Sequence, residues 1–271
     1  MKMEFKAIVI DLDGTVYHGD NIIDDADKVI DLLDKRYKVL FLTNNSTRSR
    51  ADYVRKLEDF GISCSKYQVI TSGYASAKYI KQKYGDSRVY VIGENGLKTE
   101  LIEHNITLCE DDCNIVLAGL DKEFTYSKMA KALTFILAGA VFIATNTDPF
   151  LITTEQVKPG AGALVASIER ASGTKAIITG KPSTFLSDLL VNELKVKPNE
   201  ILMVGDRLDT DIQIGINGGM STVLVLTGAT KMRDVEQSTI SPDYIVNSIS
   251  NISTILDRNI RANGNIDSEM E

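Results

Sequence analysis

The sequence predicts an α/β protein: a Rossmann-like parallel sheet core with a smaller α/β domain inserted into it. Short apolar runs alternate with helical patterns from end to end, as in parallel sheets built from crossover units. The runs are continuously apolar, as strands covered on both faces must be. At 271 residues, the chain also exceeds the usual size of one compact domain.

The elements follow in order. Ala7-Ile8-Val9-Ile10 is the first strand and Val39-Leu40-Phe41-Leu42 the second. Residues 50–60 show helical spacing, closed by Gly61, a residue suited to the left-handed turn after a helix. The middle carries its own alternation: strand 89–92, helix 98–104, strand 115–118, helix 126–138, strand 141–144 and helix 161–171. Glycine turns at Gly85-Asp86 and Gly173-Thr174 bound it, which predicts a discontinuous core of residues 1–85 and 174–258 and an inserted cap of residues 86–173. The core resumes with strand 176–179, a helix over Phe185, Leu186, Leu189, Leu190 and Leu194 with Pro182 in its first turn, and strands 201–204 and 222–226. Residues 259–271 have no apolar period and read as a frayed tail.

Composition narrows the function classes. With 44% hydrophobic and 25% charged residues and five prolines, collagen-like and wholly disordered chains are excluded. Thirty basic against 37 acidic residues give a net charge of −7, which argues against a nucleic-acid-coating surface and leaves room for a small anionic ligand in a local basic pocket. Cys64, Cys109 and Cys113 are odd in number and scattered, which fits a reducing, cytoplasmic setting better than a disulfide framework. Cys109 and Cys113 flank three acids with no histidine pair nearby, so they read as a solvated loop rather than a zinc site. Met1 to Glu4 lead directly into a strand, and no run approaches the roughly 18 apolar residues of a membrane span, so neither a leader nor a membrane partner is expected.

In an open parallel sheet, ligands bind beyond the carboxyl ends of the strands. Four strand ends here are polar: Asp11-Leu12-Asp13-Gly14-Thr15, Thr43-Asn44-Asn45, Gly180-Lys181-Pro182, and Gly205-Asp206 with Asp209 and Asp211 following. Asp11 and Asp13, two apart, would point to one side of an extended chain, where their repulsion calls for a cation. With Asp206 they form an oxygen set suited to Mg²⁺, which keeps several waters. Lys181, the Thr43 hydroxyl and nearby backbone N–H groups suit phosphoryl oxygens. Each piece also has a plainer use: Asp-x-Asp-Gly-Thr as a turn, Thr43-Asn44-Asn45 as a helix cap, and Asp206, Asp209 and Asp211 as an acidic first helical turn. Their joint occurrence, in this order at four strand ends, favours a phosphate and magnesium site. Asn146 and Asp148 close a strand of the insert, where they are expected to meet the part of a substrate that is not phosphate.

These residues carry a resemblance. Asp-Leu-Asp-Gly-Thr (11–15), Thr43, Gly-Lys-Pro-Ser (180–183) and Gly-Asp-Arg-Leu-Asp-Thr-Asp (205–211) resemble the four motifs of the haloacid dehalogenase superfamily of phosphatases. Thr43-Asn44-Asn45-Ser46, Ala144-Thr145-Asn146-Thr147-Asp148 and Lys158-Pro159-Gly160-Ala161-Gly162 resemble its NagD-like, p-nitrophenyl phosphatase branch. The resemblance spans residues 6 to about 256. It implies an α/β cap between the second and third motifs, and a Mg²⁺-dependent phosphomonoester hydrolase working through an aspartyl phosphate. Asp11 would be the nucleophile and a metal ligand, and Asp13 the general acid and base, meeting the metal through its carbonyl. Asp206 would be the remaining carboxylate on the metal, with Asp211 a supporting acid. Thr43, Asn44 and Lys181 would bind phosphate. The expected partner is a small phosphorylated metabolite, with two chains forming a homodimer. Residues 149–156 lack the glycine many relatives carry there, so a differently shaped cap loop is expected. A phosphotransferase or phosphomutase uses the same aspartyl phosphate. A receiver-like phospho-acceptor also places acids and a lysine at strand ends, but needs about half this length.

Overall fold

The computed structural model describes residues 4–152 and 156–256, so the expected tail at 259–271 and part of the 149–156 loop lie outside the described residues. The described residues form two compact units, one within Met1–Leu42, Glu58–Ser63 and Ser187–Glu271, the other within Thr43–Leu57 and Cys64–Leu186. The second unit takes in all described residues of 86–173 and extends beyond the two glycine turns.

The first unit is built on parallel strands in the order Tyr244–Val246, Ser221–Val225, Ile201–Gly205, Ala7–Asp11 and Lys38–Thr43. Ile8, Val9, Ile10, Met203 and Val223 are wholly buried, as strands covered on both faces require. Asp11 ends one central strand and Asp206 follows its neighbour, with Ile10 opposite Val204 in the register. The two acids are neighbours because the strands are parallel and in step.

In the second unit the strands run parallel in the order Ile177–Ile178, Val141–Ala144, Ile115–Ala118, Arg88–Ile92 and Thr107–Leu108. Alternate residues serve opposite faces. Val116 and Ala118 pack with Tyr90, Phe142, Val165 and Ile168, whereas Ile115 and Leu117 pack with Val89, Leu97, Leu101 and Ile143. A strand Val69–Thr71, a helix Ser72–Tyr84 and an antiparallel hairpin of Phe150–Ile152 with Val157–Pro159 join the expected elements.

Three expectations are corrected. Cys109 and Cys113 form a disulfide, Cα atoms 6.0 Å apart, while Cys64 is a free thiol. The reason is local: Asp112, at φ 52°, folds the intervening acids into a tight turn, and that Cα spacing suits a bridge. Pro182 lies ahead of its helix, which starts at Thr184. Asp209 and Asp211 sit in a π-helical turn, Leu208–Ile212, rather than the first turn of an α-helix. No described helix is long and apolar enough to cross a membrane.

Candidate active site

The first unit gathers three acids. One carboxylate oxygen from each of Asp11, Asp206 and Asp211 lies within 4.8 Å of the others, and all three residues are buried. Backbone N–H groups hold two of them. Asp211 Oδ2 accepts from the amides of Asp206 and Arg207 at 3.2 and 3.0 Å, and Asp206 Oδ2 accepts from Ala229 at 2.6 Å. The π-helical turn brings Asp211 back over the strand end that carries Asp206. Three buried carboxylates so close together make an all-oxygen donor set of the kind a hard cation takes. Gly14, at φ +91°, closes the first loop against this group. A Cβ there would come 2.6 Å from Asp206 Oδ2, so no larger side chain fits.

Asp13 is exposed and outside this trio, because the chain leaves the strand after Asp11. The amides of Thr15, Val16 and Tyr17 all turn back to the Leu12 carbonyl. Asp13 Oδ2 accepts a hydrogen bond from the Tyr17 hydroxyl at 3.3 Å. The buried Thr15 hydroxyl has no hydrogen-bond partner among the described residues, an oxygen left for a ligand.

The second unit holds the remaining candidates. Thr43 is buried and its Oγ1 accepts from the Asn45 amide at 3.1 Å, which orients the hydroxyl while leaving its hydrogen to donate. Lys181 is also buried. Asn44 joins these elements: its Oδ1 accepts from the Lys181 amide at 2.8 Å, and its Nδ2 donates to the Lys181 carbonyl and to the Asp148 carboxylate at 3.3 and 3.1 Å. Ser72 Oγ and Asn146 Nδ2 donate to the Asn44 carbonyl at 2.5 and 2.7 Å. Asn146 Oδ1 in turn accepts from the Asp148 amide at 3.0 Å. Asn146 is buried and turned inward, whereas Asp148 is half-buried. Gly180 leaves room for this packing, since a Cβ there would meet Asn44 Oδ1 at 2.7 Å.

Just past this loop, Ser49 and Asp52 form a capping box, with the Ser49 amide donating to Asp52 Oδ2 at 2.9 Å and the Asp52 amide to Ser49 Oγ at 3.2 Å. The Ser49 hydroxyl bond, the Ser49 amide and Arg55 together hold the Asp52 carboxyl below its ordinary value. Arg50 donates its amide and its Nε to Glu100 at 2.8 and 2.9 Å, both side chains being buried, and its guanidinium stacks 4.0 Å from the Tyr74 ring centroid.

The sequence reading missed the run Thr227-Gly228-Ala229-Thr230. It supplies the Ala229 amide to Asp206 and the Thr227 hydroxyl to the Gly14 carbonyl at 2.7 Å. Its signal was the strand Ser221–Val225 just before it, the same strand-end position that marked the other motifs. Ser72 was missed as well, although it directly follows the short strand Val69–Thr71.

The chain is similar to known proteins along nearly its whole length. A family model described as haloacid dehalogenase-like hydrolase matches residues 8–107, and one described as HAD-hydrolase-like matches residues 178–252. The chain is 35% identical over 257 residues to an acid sugar phosphatase of Staphylococcus haemolyticus, covering 94% of this chain and 98% of that one. It is 36% identical to the 5′-nucleotidase YutF of Bacillus subtilis over 247 residues, 91% and 96% of the two chains. Among solved structures, the 4-nitrophenylphosphatase of Thermotoga maritima superposes with a TM-score of 0.89 at 31% identity, covering 93% of this chain and 97% of that one. NagD of E. coli K-12 superposes with a TM-score of 0.85 at 30% identity, covering 92% and 98%.

Proposed function

The chain belongs to the haloacid dehalogenase-like hydrolases, and on that premise we propose that it is a Mg²⁺-dependent phosphomonoester hydrolase acting through an aspartyl phosphate. One observation carries the reading: Asp11, Asp206 and Asp211 are crowded together, buried, at the ends of two paired parallel strands. Hard oxygen donors suit Mg²⁺ better than softer metals. When bound, the cation supplies charge neutralisation for phosphate and polarises its oxygens.

A carboxylate is ionised at neutral pH and needs no base to act as a nucleophile. An Asp11 oxygen attacks phosphorus, the bond from phosphorus to the ester oxygen breaks, and Asp13 gives its proton to the departing alkoxide. Asp13, now ionised, takes a proton from water, whose oxygen attacks the same phosphorus. The bond to Asp11 then breaks and inorganic phosphate leaves. The exposure of Asp13 and its bond to the Tyr17 hydroxyl support a group that exchanges protons with solvent and is held in one orientation. The Thr43 hydroxyl, the Asn44 backbone amide and the Lys181 ammonium are assigned to the phosphoryl oxygens.

Residues 86–173 are proposed as the cap, with Asp148 on the side of the substrate that is not phosphate and the buried Asn146, bonded to the Asn44 carbonyl and the Asp148 amide, holding it there rather than meeting substrate itself. The relatives' names cover a sugar phosphatase and a 5′-nucleotidase, so sugar phosphates and nucleoside monophosphates head the substrate panel. Two chains are proposed to pair in the cytoplasm, a state that sedimentation velocity reads.

The test is phosphate release from p-nitrophenyl phosphate and that panel, with Mg²⁺ present and with it removed by chelation. Mg²⁺-dependent release in step with the freed alcohol is expected. Transfer of the phosphoryl group to a second hydroxyl, with no free phosphate, would instead establish a phosphotransferase.

A further inference from the structure

Asn44 has more to do than meet a phosphate. Its side-chain amide is bounded by groups whose chemistry fixes its orientation: the Lys181 N–H can only donate, while the Lys181 carbonyl and the Asp148 carboxylate can only accept. Oδ1 therefore faces the Lys181 amide at 2.8 Å and Nδ2 faces the Lys181 carbonyl and both oxygens of Asp148, at 3.3, 3.1 and 3.3 Å. The amide clasps the peptide groups on both sides of the Lys181 Cα, so it sets the backbone from which that side chain departs. The Asn44 carbonyl is held by Ser72 and Asn146. Residue 44 is thus pinned at backbone and side chain alike, and the residue is 7% exposed.

Resting on the proposed phosphatase reading, we propose that Asn44 is a positioning residue that couples Asp148 to Lys181. Whatever Asp148 meets in a substrate is passed, through one amide, to the residue assigned to the phosphoryl group. The partners lie 104 and 137 residues away in the chain, so the contact serves neither a local turn nor a cap. A buried amide whose donors are both used is costly to alter, because any replacement leaves an acceptor unmatched.

The test compares wild type with Asn44→Asp, Asp148→Asn and the two together, reading kcat/KM for p-nitrophenyl phosphate, the inhibition constant of inorganic phosphate, and the melting temperature. Asn44→Asp keeps the shape and the acceptor for the Lys181 amide but removes both donors and sets carboxylate against carboxylate. It is expected to lower kcat/KM about 10- to 100-fold and to weaken phosphate inhibition in parallel. Asp148→Asn alone keeps an acceptor and should change both constants by less than about fivefold. Together, the exchanged pair restores one donor facing one acceptor, and most of the loss should be recovered. A purely structural role would move the melting temperature without this exchange pattern in the phosphate constant.

Wild-type turnover with Asn44→Asp unaffected, or with the exchanged pair no better than Asn44→Asp, overturns the coupling and leaves the phosphatase reading standing. A wild type that releases no phosphate from any ester removes that reading, and this role with it. If Asn44→Asp does not fold, Asp148→Ala against Asp148→Asn decides. Only the alanine removes the acceptor at position 148, leaving Asn44 the Lys181 carbonyl alone, so the phosphate constant should weaken in that variant alone, and equal constants would overturn the proposal.

Discussion

The two units treat charge in opposite ways. In the first, three buried acids sit within 4.8 Å of one another, steadied by the backbone amides of Asp206, Arg207 and Ala229. In the second, charge is matched internally: Arg50 lies between Glu100 and the Tyr74 ring, and Asn44 meets donors with acceptors. Crowded like charge is destabilising unless a cation completes it, so a chain keeps it where chemistry is done. Matched polar groups hold a scaffold in one arrangement. On the proposed reading the first unit carries nucleophile and metal and the second the positioning groups, and each proposal can be broken separately.

The largest expected effect is at Asp11. Asp11→Asn should fold and bring turnover of p-nitrophenyl phosphate down to background, because an amide neither attacks phosphorus nor serves as an anionic metal ligand. Near wild-type turnover in that variant would end the assignment of chemistry to the first unit. The second unit's scaffold is next. Glu100→Ala removes the nearer carboxylate from the buried Arg50 guanidinium, leaving Glu103 at 3.6 Å, and should cost about 3–4 kcal/mol in denaturant unfolding, whereas a loss below about 1 kcal/mol would mean the pair is solvated. Lys181→Ala should keep the fold and lose about 3–4 kcal/mol of transition-state stabilisation in kcat/KM, the scale of one preorganised electrostatic contact.

Asp148→Ala sharpens the comparison further. It should reorder the phosphomonoester panel by about 1–3 kcal/mol while small aryl phosphates lose less. A uniform loss, or none, would take Asp148 out of substrate choice. The smallest effect concerns Asp52. Its folded pKa lies below the ordinary 3.8 because the Ser49 hydroxyl, the Ser49 amide and Arg55 favour the charged form. A depressed carboxyl adds stability above the unfolded value and loses it as pH falls through the folded one. Asp52→Asn should therefore cost roughly 0.5–1 kcal/mol near neutral pH, and the gap in melting temperature should close in acid below about pH 4. A gap that persists there would place the effect in packing rather than charge.

The acid side of the site was legible in the sequence because its signal is local. Asp11 and Asp206 follow apolar runs directly, and the fold places strand ends where ligands bind, whereas Asp211 takes the place in the trio that the spacing gave to Asp13. Asn44, Lys181, Asn146 and Asp148 were legible one by one as strand-end residues, but their hydrogen bonds to one another were not, since they are brought together over more than a hundred residues. The helix Ser72–Tyr84 escaped for a related reason: besides Tyr74 and Ile80 its buried residues are the small Ser72, Gly73, Ala75, Ser76 and Ala77, which give only a weak apolar stripe. The disulfide depends on a left-handed Asp112 that no spacing rule announces.

The central claim is a covalent phosphoryl group on Asp11, and the most direct measurement is mass spectrometry of peptides from enzyme quenched in acid within milliseconds of mixing with substrate and Mg²⁺. The account predicts phosphate on the peptide bearing Asp11 in the wild type and none in Asp11→Asn. Steady phosphate release with no label on that peptide, or with the label carried elsewhere, would contradict it.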